Sequence, residues 1–170
     1  MSAEGVNIFT SIFLNQIFAF QNGTGNIVLS GIGLYALMGA INIGLRGAGY
    51  GQVSEFLDEN FKDLFDKAIW KNSQTARKWI NLLTNVEKPL ISTSALFYSC
   101  YLYDDYQKMT NVIFKLHQVP VNFSNPTESA GKINKWIYQK TYRAIENVFD
   151  ESMLSENIVI FIHTLFFRAD

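Results

Sequence analysis

The side chains with most chemistry to offer are two histidines, His117 and His163, and a lone cysteine, Cys100. A zinc site needs three or four such ligands at short, repeated spacings, and here each stands by itself. Nucleophilic catalysis would need a serine or cysteine served by a histidine, and neither histidine has that local support. No metal, no cofactor and no enzymatic activity are expected. Cys100, among Tyr98, Tyr101 and Tyr103, reads as a packed thiol ahead of a redox centre. His117 reads as a surface or strand-end residue. His163 lies inside the apolar run "IVIFIHTLFF" and reads as a buried neutral imidazole satisfied by its neighbours. The sharper alternative is a pH-sensitive latch, because a buried imidazole titrates near neutrality.

Two further patterns invite a ligand. The glycines of "RGAGYGQ" do not make a phosphate loop: no Lys-Ser/Thr follows, and a helix precedes them where a nucleotide fold needs a strand. Lys62, Lys67, Lys71, Arg77 and Lys78, with Trp70 and Trp79 among them, suggest a polyanion site. Asp58, Glu59, Asp63 and Asp66 dilute that charge, so a solvated helix face is the favoured reading.

The whole chain supports the same restraint. Its 170 residues suffice for one domain with a real core, taken as 1–170, and 48% hydrophobic content excludes disorder. Fourteen Lys and Arg against fifteen Asp and Glu leave nothing to attract nucleic acid or an anionic membrane. The apolar start "MSAEGVNIFTSIFLNQIFAF" lacks a basic n-region, carries Glu4 and has no small-residue cleavage site, so it is not read as a signal peptide. Val6, Phe9, Phe13, Ile17 and Phe20, with Ile12 between, recur at helical spacing and predict an amphipathic helix. A cytoplasmic location is expected, with secretion through a non-cleaved signal as the alternative. In that case the sequons at Asn22 and Asn122 would matter.

Along the chain, "QNGTG" predicts a turn into a short strand, "NIVLS". "GIGLYALMGAINIGLRG" is small and apolar all round and predicts a buried helix. Gly33, Gly39 and Gly44 each cost it about 1 kcal/mol of propensity, so packing must hold it. Residues 50–83 read as helical, "KPLISTSALFYSCYLY" as extended, "DDYQKMTNVIFKLH" as a helix and "QVPVNF" as a strand broken at Pro120. The clearest boundary is Asn125, an N-cap followed by Pro126 at N1 and Glu128 at N3. Ala130, Ile133, Trp136, Ile137, Thr141, Ala144 and Val148 mark one apolar face of the helix that follows, which should lie across a sheet. The terminal strand is apolar on both faces, which belongs in the middle of a covered sheet.

These elements, in this order, resemble the serpins over nearly the whole chain. "VPVNFSNPTESAGKINKWIYQKTYRAIENVF" is similar to the family's strand and sixth helix, with its D-F-x-N/D-P run leading into I-N-x-W-V-x-x-x-T. Phe123, Ser124, Asn125, Pro126, Ile133, Asn134, Trp136 and Thr141 carry that likeness. "GNIVLSGIGLYALMGAINIGLRGAGYGQVSEFL", "STSALFYSCYLYDDYQ" and "IVIFIHTLFFRAD" each resemble a further family segment. The resemblance implies an α+β fold: the N-terminal portion of a serpin, with helices packed on a mainly antiparallel sheet and the sheets incomplete. It suggests an intracellular, ovalbumin-like or viral type, and abundant Asn, Ile, Phe, Tyr and Lys are consistent with a viral or parasite source.

An inhibitory serpin is cut in an exposed loop that then inserts into its large sheet and traps the protease. The resemblance makes the terminal strand a border of that insertion site, and places the loop in a C-terminal half beyond these 170 residues. A shutter-like region is implied at Ser30, Gly31, Gly33 and His163. Gly31 and Gly33 replace the family's proline and second serine, and His163 its asparagine. Arg143-Ala144 replace the usual Gly-Lys. Each lost hydrogen bond should weaken such a network by about 1 kcal/mol.

The expected function is a serpin-family protein, non-inhibitory alone, that acts by protein–protein binding; the alternative is half of a working inhibitor that needs a separate C-terminal chain. The expected partner site is the edge carrying Phe161, Ile162, Leu165, Phe166 and Phe167, through which a protein partner or a second copy would pair. A chain end that folds back on the remaining sheet is the other way to cover it. The target protease, if one exists, is not written in these residues.

Overall fold

Helical spacing of apolar residues folds Ala3–Phe20 into α1, in a computed structural model that describes residues 3–86, 91–154 and 159–166. Phe9 is buried, and Val6, Phe13 and Ile17 are half-buried beside it. Phe20, assigned to the same face, is instead 90% exposed, and Ile12 is also on the outside. The chain divides into two units, Met1–Leu83 and Thr84–Asp170.

In the first unit, α2 (Gly31–Asn42) is buried on all sides, as its small apolar composition demands. Ser30 starts it: the Ser30 hydroxyl accepts the Gly33 amide at 3.1 Å. A left-handed glycine, Gly47, begins α3 (Gly47–Phe56), and the Asn42 side-chain amide ties α2 to α3 by donating to Ser54 Oγ at 2.8 Å. The continuous helix expected over residues 50–83 is broken. Asp58 turns left-handed, Asn60 and Asp66 accept the amides of Lys62 and Ala68, and short 3-10 turns at Lys62–Phe65 and Trp70–Asn72 fill the gap. Ser73 then caps α4 (Gln74–Val86) through the Ala76 amide. Trp79 is fully buried and stacks on Tyr35 and Phe61, with ring centroids 5.1 and 5.8 Å apart.

Residues 26–30, expected as a strand, form none. A strand is stable only when paired, and among the described residues the backbone of residues 26–29 has no hydrogen-bonding partner. Val28 is left 93% exposed.

The second unit is built on three strands in the order β2-β1-β3: β1 (Ile91–Tyr98), β2 (His117–Pro120) and β3 (Val159–Phe166). β1 pairs antiparallel with β3 along its whole length and parallel with the shorter β2, so the sheet is mainly antiparallel, as expected, with one parallel pair. The parallel pair needs a crossover, and α5 (Asp104–Phe114) supplies it. Lys115, at φ +50°, ends α5 and sends His117 into β2, where the sequence suggested the helix continued.

Asn125 caps α6 (Pro126–Lys140) as expected: its Oδ1 accepts the Glu128 amide at 3.3 Å, while its Nδ2 donates to the Glu128 carboxylate. Ala130, Ile133 and Ile137 pack onto Ala95 and Phe97 of β1, and Trp136 meets Phe97 edge-on at 5.7 Å. α6 stops at Thr141, short of the Ala144 and Val148 assigned to it, because Tyr142 and Arg143 both turn left-handed, at φ +51° and +68°. For residues with a Cβ this conformation costs about 1–2 kcal/mol each.

Candidate functional site

Alternation along β3 sorts its side chains between two faces. Ile160 and Ile162 join the cluster under α6, and Phe166 on the same face meets the Tyr142 ring at 5.1 Å. Phe161, His163 and Leu165 point to the opposite face. Phe161, Ile162, Leu165 and Phe166 are all half-buried, and Phe167 lies outside the described residues. β3 is an edge: one side is zipped to β1 from Ile91↔Phe166 to Tyr98↔Val159, and among the described residues no strand lies on the other. Natural edges are blunted by lysine, proline or a bulge, and Val159–Phe166 holds neither lysine nor proline.

At mid-strand His163 sits directly opposite Ser94, with its Nδ1 2.9 Å from Ser94 Oγ. Its Nε2 is buried and has no partner among the described residues. Burial pushes the imidazole pKa below the usual histidine value. One step along, Thr164 is buried and its hydroxyl donates to the Thr93 carbonyl at 3.1 Å. Two side-chain bonds thus pin the register of β3 on β1. Ser94 was missed as a partner of His163 because the register joins positions far apart in sequence, and nothing local encodes it.

The other shutter-like residues, Ser30, Gly31 and Gly33, belong to the first unit, whereas His163 belongs to the second. Gly31 permits a close approach within its own unit. A Cβ there would lie 1.9 Å from Thr10 Oγ1 and 2.7 Å from Thr10 Cβ, so α1 fits over the start of α2 only if residue 31 has no side chain. Gly33 is buried and donates to the Ser30 cap.

The cationic stretch resolves into structural roles. Trp79 is core, the Lys78 ammonium donates to the buried Glu59 carboxylate at 2.7 and 2.9 Å, and Arg77 bonds the Asn72 carbonyl. Lys71 lies over the Trp70 ring, 5.6 Å from its centroid. Glu59 also accepts from Tyr35, whose phenol pKa is pushed up by burial and then by the Glu59 charge. Among the described residues no group of three His, Cys, Asp or Glu could hold a metal ion, and no described helix is long and apolar enough to cross a membrane.

An edge-exposed strand antiparallel to a buried one, with a capped helix packed across them, is the geometry of part of a known inhibitor fold. A family model described as Serpin (serine protease inhibitor) matches residues 5–170, and the chain belongs to that family. It is 23% identical over 161 residues to hibernation-specific plasma protein HP-55 of Tamias sibiricus, covering 94% of this chain and 38% of that protein. It is 27% identical to serpin B13 of Mus musculus, over 92% of this chain and 45% of that one. The solved structure of mouse protein-Z dependent protease inhibitor superposes with a TM-score of 0.78 at 20% identity, covering 96% of this chain and 44% of the other. Native protease nexin-1 with heparin superposes at 0.75 with 18% identity, covering 96% and 43%. The chain therefore spans less than half the length of these relatives.

Proposed function

We propose that this chain acts by protein–protein binding through the open edge of β3, and that residues 1–170 alone do not trap a protease. The observation that carries this reading is the edge itself: eight residues paired, among the described residues, on one side only, without a charged side chain, ending in the half-buried Leu165 and Phe166. Burying a side chain of that size is worth roughly 1.5–3 kcal/mol, so a covered edge is favoured over an open one. A second copy of the chain is the partner always at hand. Size-exclusion chromatography with light scattering should find an oligomer; a stable monomer would contradict the proposal.

One observation favours a second reading, in which the chain is half of a working inhibitor completed by another chain. Ile27, Val28 and Leu29 are apolar, yet the backbone of residues 26–29 is unpaired among the described residues, as in a segment awaiting its sheet. Co-expression with the C-terminal half of a relative tests it. A stable complex that traps a protease covalently would support this reading, and a chain that ignores such a partner supports the first.

A further inference from the structure

The C-terminal end of α6 holds an open cleft of about 490 Å³, lined by Lys135, Tyr138, Gln139, Tyr142 and Arg143. Lys135, Tyr138 and Gln139 fall at the i, i+3 and i+4 positions of one helical stripe, and Tyr142 and Arg143 come from the left-handed turn that follows α6. Its size lies within the range of small-molecule sites, roughly 300–1,000 Å³. Two cations, two phenols and one carboxamide supply donors, and no carboxylate lines the cleft. Among the described residues none of these five side chains is engaged in a hydrogen bond or ion pair.

The backbone beneath is held in an unfavourable form. Thr141, fully buried, anchors the turn: its hydroxyl donates to the Ile137 carbonyl at 2.8 Å and accepts the Ile145 amide at 3.2 Å. The Arg143 amide closes the loop onto the Tyr138 carbonyl at 2.8 Å. Between these clasps Tyr142 and Arg143 take consecutive left-handed conformations, where glycine or asparagine fits best. Arg143 occupies the position at which the family resemblance places glycine. Arg143 is exposed, so packing does not require its side chain, whereas Tyr142, 62% exposed, rests part of its ring against Phe166. Backbone strain of this kind persists where the side chains it presents have work to do.

We propose that this cleft binds an oxyanion ester carried on an aromatic ring, an aryl phosphate or aryl sulfate. Lys135 and Arg143 meet the anion, the Tyr138 and Tyr142 hydroxyls and the Gln139 amide complete its donors, and the two rings flank the aromatic body. A C-terminal helix end repels a bare anion, so affinity comes from these side chains and from ring stacking rather than from the backbone. The aromatic body is thus required.

Phenyl phosphate, phenyl sulfate and inorganic phosphate are titrated into the full chain, followed by amide chemical shifts and calorimetry. Saturable binding of either aryl ester with shifts confined around residues 135–143 is expected, at least about tenfold tighter than inorganic phosphate. The comparison of the two aryl esters identifies which anion is preferred. Lys135→Gln and Arg143→Gly should each weaken it about tenfold or more, the loss of one charge-assisted contact. Arg143→Gly should at the same time raise the melting temperature, because it relieves the left-handed strain. Absence of shifts at residues 135–143, binding that survives both substitutions, or inorganic phosphate binding as tightly as the esters would each overturn the proposal.

Discussion

His163 Nδ1 lies 2.9 Å from Ser94 Oγ, joining at the centres of two paired strands two residues that are 69 positions apart in the chain. The contact leaves the other ring nitrogen buried without a partner among the described residues. That asymmetry makes the neutral imidazole the form the fold accepts, since a proton on both nitrogens would place a charge in a desolvated site with no carboxylate on β1 or β3 to meet it.

Stability should therefore fall on acidification. The folded pKa of His163 is depressed by burial, so the unfolded chain takes up the proton first. The contribution is fully present above the unfolded value of about 6.5 and is lost as pH falls below it. His117, lowered by burial and by Lys140, has the same sign. Thermal melts between pH 5 and 8 should show a declining acid limb that His163→Asn flattens in part, since asparagine keeps a partner for Ser94 without a charge to gain. A variant curve parallel to the wild type would remove His163 from this role.

The Glu59 carboxylate, only 3% exposed, is held by Lys78 and Tyr35 inside the first unit. Removing the cation leaves the buried carboxylate without its ion-pair partner. Lys78→Met should cost about 2–3 kcal/mol, reduced from the fully buried case because the Lys78 side chain is 32% exposed. Adding Glu59→Gln to that variant should recover part of the loss, since the carboxylate is then gone. Urea denaturation of both variants measures it, and equal midpoints for wild type and Lys78→Met would refute the role of the pair.

Gly31→Ala brings a methyl group to 1.9 Å from Thr10 Oγ1, a distance no packed pair sustains. The helices must shift, at a cost of about 1–3 kcal/mol. Thr10→Ala in the same chain should restore only part of it, because Thr10 Cβ itself would lie 2.7 Å from the new atom. Full recovery in the double variant would show that the hydroxyl alone sets the limit.

Much of this was legible in the sequence, and the exceptions share a cause. The start of α6 was readable to the residue because Asn125, Pro126 and Glu128 act within one turn. The terminal strand was readable from its apolar run. What failed was whatever depends on distant partners or on single backbone angles. Residues 26–30 have strand composition but, among the described residues, no strand to pair with. The broken segment after α3 turns on the left-handed Asp58 and on side chains of Asn60, Asp66 and Ser73 that bond their own backbone. The end of α6 turns on Tyr142 and Arg143, residue types that give no warning of positive φ. At the candidate edge, the composition announced an apolar strand, whereas the Ser94 contact arises from register and the tilted Phe166–Tyr142 ring contact from the left-handed turn after α6.

Val159 is 41% exposed at the entry to β3, so a lysine there can reach water without disturbing the α6 cluster. A charge on an edge strand opposes pairing with another strand, because approach would strip its hydration. Val159→Lys should shift the chain toward monomer and leave its melting temperature at low concentration nearly unchanged. Phe161→Lys, on a half-buried side chain, should reduce association and also lower stability, since it removes apolar contact from the sheet face. Light scattering across a concentration series separates the two effects. If Val159→Lys assembles as strongly as the wild type, association runs through another surface and β3 is not the docking edge.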